Sequence, residues 1–447
     1  MTVESGREAV SVVVPFAGDT DDARATLVAL QRIAFGPADE AIVVDNSAAS
    51  VLAGLEHDPP IQVVGATDQP SSFYARNVGA EHASNEWLLF IDSDCLPPSS
   101  LLDDYFIHEI PDGVGAVAGA VLPADVAMGV VSSYKAFRGH LDQGKFMRSK
   151  EPSAATANLL VRRAAWAELG GFSEGIRSGG DIDFCRRLSA AGWKLTYEPR
   201  AEIRHLHRDT LRAHASQQIR YGGAHTWLHR RYPQTRMSRP LAVQLPLSAG
   251  GALRRAAVGD WQWSLFHLLD GLTAVLLSVG KLRGNRAAER TSRSTATLVV
   301  SSWPDASDHD AGSVVTKAAE NSDELRVEAR YRPVRVVRSL LERPAHYMED
   351  DSPLDNVRGI AWLLVNRPRQ TTRSVLRRRN RVNLGTLIRL APAARRMAQS
   401  GSHHVHAADT RTASDARALA DLTGATFGAD DGAVVSVDRD GLVERSP

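Results

Sequence analysis

The order of apolar runs in the first hundred residues constrains the fold more than any other feature of the chain. The runs are "AVSVVVPFAG", "EAIVVDNSA", "IQVVGAT" and "EWLLFIDSD", and segments with helical spacing such as "DDARATLVALQRIA" and "SFYARNVGAEHAS" separate them. Strands that alternate with helices form a parallel sheet with helices on both faces. We therefore expect an α/β domain whose ligands bind at the carboxyl ends of its strands.

Acidic residues end two of these predicted strands. Asp45 ends the second strand, and Asp92 and Asp94 follow the fourth. Two carboxylates one residue apart repel each other unless a divalent cation lies between them, and oxygen ligands of this kind suit Mg²⁺ or Mn²⁺. A solvated turn before Pro97 and Pro98 is the alternative that the spacing leaves open.

Composition bounds the class of protein. The chain has 447 residues, which exceeds one typical domain of about 100–200 residues. The net charge of +1, with basic and acidic runs interspersed, gives no basis for a nucleic-acid partner, and none is expected. Cys95 and Cys185 form no C-x-x-C motif, which argues against a disulfide framework and favours a reducing compartment. Because the start of the chain also lacks the features of a signal peptide, we expect a cytoplasmic protein.

One later segment, "WQWSLFHLLDGLTAVLLSVG" (261–280), is long enough to span a bilayer. It contains His267 and Asp270, and an acid at mid-membrane costs about 2.5–3.5 kcal/mol. The basic residues near its ends are Arg254, Arg255, Lys281 and Arg283. Three interpretations stay open: a helix packed on a domain, a helix on the inner face of a membrane as a peripheral contact, or a membrane span.

Polarity divides the chain into three predicted parts. Residues 1–240 carry the alternating strands and helices, and residues 241–296 form a helical segment, a candidate for membrane association, that ends in the polar linker "GNRAAERTSRSTA". A new strand and helix pattern begins after the linker, so residues 297–447 are predicted to form a second, smaller α/β Rossmann-like domain.

The first part resembles the GT-A nucleotide-sugar glycosyltransferases of family 2 over about residues 10–235. The likeness rests on "VVVPF", "IVVDNS", "ARNVGAEHA", "LLFIDSD" and "SGGDIDFCRRLSAAGWKLTYEPRAEIRHLHR" in this order. It implies the GT-A fold, a Rossmann-like mixed sheet. It also implies an inverting, metal-dependent enzyme that moves a sugar from a nucleoside-diphosphate donor to a hydroxyl group of a carbohydrate, a lipid-linked or a small-molecule acceptor.

The resemblance implies roles for individual residues as well. Asp181, at the start of a helix, matches the catalytic base, but the family usually carries an acid where this chain has Gly180, so Asp183 stays open as the base. The D-x-D pair is expected to hold Mn²⁺ or Mg²⁺, and one of two histidines to complete the shell. The residues expected at the metal are Asp92, Asp94, His205 and His207. Those expected to contact the donor are Pro15, Asp45, Arg76, Asn77, Asp92 and Arg208, with Arg220 and Tyr221 near the leaving phosphates and the acceptor.

The last part of the chain is similar to the amino-terminal half of GT-B glycosyltransferases. The similarity lies in "ERPAHYM", "NRPRQTTRSVL" and "HHVHAADTRTASDARALADLTGATFG". The donor-binding half of that fold does not follow, so we expect a partner-binding, acceptor-binding or vestigial domain with no catalytic role.

Two other classes of function remain as alternatives. A non-catalytic nucleotide-sugar binding protein or scaffold would lose the site acids, but Asp92, Asp94 and Asp181 are present. A nucleotidyltransferase would need a glycine-rich, basic loop after the first strand, whereas Gly18 is followed here by acids.

Overall fold

A computed structural model describes most of the chain. The described residues are 7–67, 69–124, 129–206, 209–235, 239–285, 296–302, 325–331, 345–376, 383–400, 404–407, 412–423 and 425–429. They group into two compact units: residues 7–221 with 239–278, and residues 222–235 with 279–285 and the described residues from 296 onward. Residues 241–278, predicted as a separate segment, group with the first unit. The predicted linker lies outside the described residues, apart from 284, 285 and 296.

The first unit is an α/β domain built on one eight-stranded sheet. Its strands are β1 (Val10–Phe16), β2 (Glu40–Asp45), β3 (Ile61–Gly65), β4 (Trp87–Ile91), β5 (Cys95–Leu96), β6 (Val114–Pro123), β7 (Asn158–Arg162) and β8 (Lys194–His205). Its helices are α1 (Thr20–Leu30), α2 (Ser72–His82), α3 (Leu101–Tyr105), α4 (Val130–Phe137), α5 (Gln143–Met147), α6 (Arg163–Glu168), α7 (Gly180–Ala190), α8 (Leu211–Arg231), α9 (Leu241–Ala257) and α10 (Trp261–Arg283), of which α8 and α10 end in the second unit.

The sheet is mixed, with strand order β3-β2-β1-β4-β7-β6-β8-β5. The first four strands in this order are parallel, as the alternation predicts, whereas β7 is antiparallel to both β4 and β6. Because β6 and β8 pair in parallel, the carboxyl end of β8 lies at the same edge as those of β1, β2 and β4. This arrangement confirms the predicted GT-A fold and brings residues far apart in sequence to one edge of the sheet.

Helix α2 lies directly against the sheet. A Cβ atom at Gly79 would lie 2.5 Å from Val13 Cγ1 and 2.8 Å from Val44 Cγ2, so only glycine allows this approach. The side chains of β1, β2 and β4 are buried, apart from Glu40 at the start of β2, which explains why these runs are apolar rather than alternating. Close packing of α2 on β1 and β2 sets the position of Arg76, one turn before Gly79.

Helix α10 packs within the first unit rather than standing alone. Tyr134 of α4 forms a buried apolar cluster with Phe266 and Leu269, and its hydroxyl donates to Asp270 Oδ1 at 2.8 Å. Arg138 forms an ion pair with the same carboxylate. Asp270, the acid inside the apolar segment, is therefore neutralised by α4. Among the described residues α10 is the one helix long and apolar enough to cross a membrane by length and composition.

The second unit contains a parallel five-stranded sheet with order β11-β10-β9-β12-β13. The strands are β9 (Ala296–Ser302), β10 (Leu325–Tyr331), β11 (Ala345–Tyr347), β12 (His404–Ala407) and β13 (Thr426–Ala429). A 3₁₀ turn (Met348–Asp350) follows β11, and the helices are α11 (Pro353–Asn366), α12 (Pro368–Leu376), α13 (Leu384–Ser400) and α14 (Ala413–Thr423). In chain order the strands run 3-2-1-4-5, as the first five strands of a doubly wound sheet do, which confirms the predicted smaller Rossmann-like domain.

Candidate active site

A two-residue strand brings the D-x-D motif to the end of β8. Cys95 pairs with His205 in the antiparallel ladder between β5 and β8, and the Leu206 amide donates to the Asp94 carbonyl at 2.9 Å. As a result His205 Nε2 lies 3.1 Å from Asp94 Oδ1, although the two residues are more than a hundred positions apart. The structure thus brings together two of the residues that were predicted as metal ligands.

Asp94 and His205 are suited to a divalent cation. Their ligand atoms and the Cys95 sulfur lie within 4.8 Å of one another. Burial, together with the charges of Asp92 and Asp94, raises the pKa of the Cys95 thiol well above its ordinary value, so the sulfur stays protonated and is a poor ligand. A carboxylate with an imidazole fits Mn²⁺ better than Mg²⁺, which prefers oxygen ligands alone.

The ionisation of His205 depends on the neighbouring acids. Burial lowers the pKa of His205, but the hydrogen bond and charge of Asp94, helped by Asp92, outweigh burial and raise it above the ordinary value. An acidic pair that attracts a proton to this imidazole would attract a cation in the same way. His207, the other predicted histidine, and Arg208 lie outside the described residues.

Asp92, the first acid of the motif, points toward α2 and forms an ion pair with Arg76. The Arg76 guanidinium is nearly buried and also lies over the Phe73 ring, 5.6 Å from its centroid. Arg76 therefore balances the charge of Asp92 at the edge where a diphosphate is expected. The position agrees with the predicted contact between Arg76 and the donor, which stays a prediction.

Asp181 lies in the first turn of α7, beside this group of charges. Gly179 caps the helix with φ of +81°, a conformation that favours glycine. Burial raises the pKa of Asp181 above its ordinary value, although the Ile182 amide and the Arg76 guanidinium act in the opposite direction. The carboxylate therefore binds a proton more readily than a solvated aspartate does, which is the property required of a general base.

Tyr221 of α8 belongs to the same surroundings. Burial and the charge of Asp181 raise the pKa of Tyr221 to about 12. Its ring stacks on His140 at 5.7 Å between centroids, and its hydroxyl accepts a hydrogen bond from Gln217 at 3.1 Å. The phenol is therefore neutral and close enough to the candidate base to be affected by its charge, while its contact with the leaving phosphates and the acceptor stays a prediction. Arg220, the preceding residue, is exposed.

Asp183 has a different environment from Asp181. Its side chain is fully buried, forms an ion pair with Arg187 at 2.9 Å, and accepts a hydrogen bond from Ser173 at 2.7 Å. Arg187 in turn donates to the carbonyls of Leu169 and Gly171. Asp183 thus ties α7 to the preceding loop and has no exposed oxygen for an acceptor, so the geometry favours Asp181 as the base.

Three residues predicted at the donor make mainly internal contacts. The Asp45 carboxylate accepts from the amides of Ser47 at 2.9 Å and Leu52 at 2.8 Å, which fixes the loop after β2. Asn77 is fully buried and exchanges hydrogen bonds with the backbone of Phe172. Pro15 is buried in β1. The predicted contact of these three residues with a nucleotide stays a prediction. The hydrogen bonds of Asp45 and Asn77 and the burial of Pro15 do not support it.

Phe73 is a residue of the site that the motifs did not reveal. A Cβ atom at Gly180 would lie 2.8 to 2.9 Å from three atoms of the Phe73 ring, so the ring occupies the space of any side chain at this position. The Arg76 guanidinium also lies over this ring in a cation–π contact. The signal in the sequence was Gly180 itself, which stands where the similar family carries an acid.

A family model matches the part of the chain that carries these residues. Residues 7–224, just under half of the chain, match the model described as "Glycosyltransferase like family 2". The match confirms the resemblance inferred from the motifs for this part of the chain.

The relatives of the chain carry glycosyltransferase names. It is 29% identical over 290 residues to the "Pre-mycofactocin glycosyltransferase" of Mycobacterium tuberculosis, which covers 63% of this chain and 58% of that protein. It is 28% identical over 195 residues to "Glycosyltransferase AglE" of Haloferax volcanii, covering 42% of this chain and 64% of that protein. The chain thus spans less than two thirds of the length of these relatives.

Among solved structures, the chain is similar to the mannosyltransferase PcManGT from Pyrobaculum calidifontis, which was solved in complex with GDP-Man and Mn²⁺. The sequence identity is 17% and the TM-score is 0.45. The similarity covers 60% of this chain and 86% of that one.

Proposed function

We propose that the protein is an inverting glycosyltransferase that uses a nucleoside-diphosphate sugar and a divalent cation. The observation that carries the proposal is the convergence of Asp94, His205, Asp92 and Asp181 at the carboxyl edge of one sheet. The family of residues 7–224 supports sugar transfer as the reaction class. The acceptor is a hydroxyl group of a carbohydrate, a lipid-linked or a small molecule.

Asp181 is the base in this proposal. Its raised pKa lets it take the proton from the acceptor hydroxyl while that oxygen attacks the anomeric carbon and the nucleoside diphosphate departs on the opposite face. Asp183 and Arg187 hold the helix that carries Asp181, and the charge of Asp181 acts on the buried phenol of Tyr221. The division of labour between the two acids follows from their burial and partners.

Asp94 and His205 would hold the cation, with Asp92 next to it. The cation, Mn²⁺ in preference to Mg²⁺, supplies positive charge that stabilises the diphosphate as negative charge grows on it. Arg76 forms an ion pair with Asp92, and in this proposal it also donates to a phosphate oxygen of the donor. The cysteines are both free and buried, which agrees with a reducing, cytoplasmic location for such an enzyme.

The proposal is tested first by donor binding and then by transfer. Thermal shifts are measured with UDP-, GDP- and dTDP-sugars, with and without Mn²⁺, because a ligand that binds only the folded state raises the melting temperature. We expect a shift with one nucleotide that requires Mn²⁺ and is lost in Asp94→Ala. No shift with any donor would favour a non-catalytic scaffold instead.

Asp181→Asn separates binding from chemistry. We expect this variant to keep the Mn²⁺-dependent shift and to lose about 10²- to 10⁴-fold in transfer rate, the usual contribution of a general base. The matched variant Asp183→Asn removes the same charge two residues away and should act through stability instead. Transfer by Asp181→Asn at the parent rate would refute the assignment of the base.

A further inference from the structure

Helix α10 exposes an apolar stripe that the packing of the first unit does not use. Its members are Trp261, Leu265, Leu268, Leu272 and Val275, exposed by 71%, 39%, 56%, 38% and 38%. Their spacing alternates between three and four residues, so at about 100° per residue they share one face of the helix. Exposed large apolar residues occur singly on most proteins, but a continuous row of this kind indicates an interaction surface.

The polar groups of α10 face the opposite side. Asp270 lies about half a turn from the stripe and is held there by Tyr134 and Arg138. Thr273 interacts with His214 at 2.9 Å on that side. The stripe therefore has no charge within it, and the acid that would oppose contact with a lipid is paired inside the unit.

Helix α9 packs beside the stripe. It contacts α10 through small residues, since a Cβ atom at Gly251 would lie 2.7 Å from the His267 ring and the Ser264 hydroxyl donates to the Ala252 carbonyl. Its own exposed apolar side chains, which the helical period distributes around the helix, are Val243, Leu245, Leu247 and Leu253. The continuous apolar row therefore lies on α10.

The charged residues near the stripe are mainly basic. Residues 239–283 contain five basic and two acidic side chains, and both acids, Asp260 and Asp270, have basic partners. Arg254 is exposed next to Leu253, and Lys281 and Arg283 lie in the last turn of α10. An apolar face with basic residues beside it and tryptophan at one end is the composition of helices that lie in the plane of a membrane.

We propose that the α10 stripe docks the protein onto a membrane that contains anionic lipids and lies in the interface between headgroups and acyl chains. The helix lies in the membrane plane and does not cross it, because crossing would break the pairing of Asp270 with Arg138. This inference goes beyond sugar transfer and does not depend on it.

The test is flotation of the full chain with vesicles. One set contains phosphatidylcholine alone and the other also contains phosphatidylglycerol. We expect binding to the anionic vesicles that weakens as salt rises, and a fall of about tenfold or more in the partition coefficient for Leu268→Glu. The matched control Gln262→Glu adds the same charge to an exposed residue of α10 outside the stripe and should bind as the parent does.

Two further measurements make the result decisive. Leu268 is exposed, so its variant should keep the melting temperature and the nucleotide-sugar binding of the parent, which separates loss of docking from loss of folding or of the donor site. Light scattering gives the oligomeric state. No vesicle binding by the parent, equal binding by Leu268→Glu, or a dimer that Leu268→Glu dissociates without any lipid binding would overturn the proposal.

Discussion

The close approach of Phe73 to Gly180 predicts that Gly180→Ala lowers the stability of the parent protein and raises that of a Phe73→Val variant. In Gly180→Ala the new methyl group would lie 2.8 Å from Phe73 Cε1 and 2.9 Å from Cδ1 and Cζ, closer than such atoms approach in folded proteins. Phe73 is nearly buried and its ring faces that of Phe172, so it cannot move aside freely. Overpacking of this kind costs about 1–3 kcal/mol in the free energy of unfolding.

The same substitution also has a favourable effect that partly offsets the clash. Alanine in place of glycine within a helix contributes about 0.5–1 kcal/mol by reducing the entropy of the unfolded chain. The net loss for Gly180→Ala is therefore about 0–2.5 kcal/mol. In the Phe73→Val background the three ring atoms are gone, so Gly180→Ala should instead increase stability by about 0.5–1 kcal/mol.

The assay is urea unfolding of the four proteins of this double-mutant cycle, from which the coupling between the two positions should be about 1–3 kcal/mol. Gly54→Ala is the matched control, since no atom lies within 4 Å of a Cβ at Gly54 and its effect should stay within about 0.5 kcal/mol. An equal effect of Gly180→Ala in both backgrounds would refute the reasoning. The glycine at position 180, just before the proposed base Asp181, would then need an explanation other than the Phe73 ring.

Three further predictions concern ionised groups. Asp183→Asn should lower stability by about 3–5 kcal/mol in thermal or urea unfolding, because it leaves Arg187 buried without its partner. The transfer rate should fall with decreasing pH from a value above the ordinary carboxylate pKa, because a raised pKa protonates Asp181 earlier, and a pH-rate profile checks this. Burial opposes the shift, but Arg7 and backbone amides hold the pKa of Asp39 below its ordinary value. The stability that Asp39 contributes is therefore present above the ordinary carboxylate pKa and is lost as pH falls through the lowered one, so Asp39→Asn should be less stable than the parent at neutral pH, with a difference that shrinks in acid.

The positions of Asp92, Asp94 and the start of α7 could be predicted from the sequence because each depends on local pattern. An apolar run that ends in acids marks the carboxyl end of a strand, and two glycines before an amphipathic segment mark the start of a helix. Parallel pairing then places Asp92 and Asp94 at one edge without any knowledge of the partners. The choice of family followed from the order of these local patterns.

The contacts within the site could not be predicted in the same way. His205 meets Asp94 through a strand of only two residues, Cys95 and Leu96, which is too short to show periodicity and whose partner lies far along the chain. Asp45 was expected to face the donor, but its loop satisfies both of its oxygens with nearby backbone amides. Strand and helix patterns in a sequence do not reveal the register between distant strands. They also do not reveal side-chain to backbone hydrogen bonds, which can occupy a side chain expected to bind a ligand.

For helix α10, the helical period of the sequence predicts which side chains share a face, which average hydropathy does not. Average hydropathy makes α10 a candidate span and treats Asp270 as a uniform cost, whichever way the side chain points. The helical period places Asp270 about half a turn from Leu268 and Leu272. One face of the helix can therefore direct an acid toward the rest of the unit while the opposite face stays apolar. Because Arg138 of α4 pairs with Asp270, removal of the helix from the domain would expose the Asp270 carboxylate to lipid and leave Arg138 without this ion pair. Pairing across α4 and α10 therefore favours a helix that stays packed on its domain and offers only its apolar face to a partner.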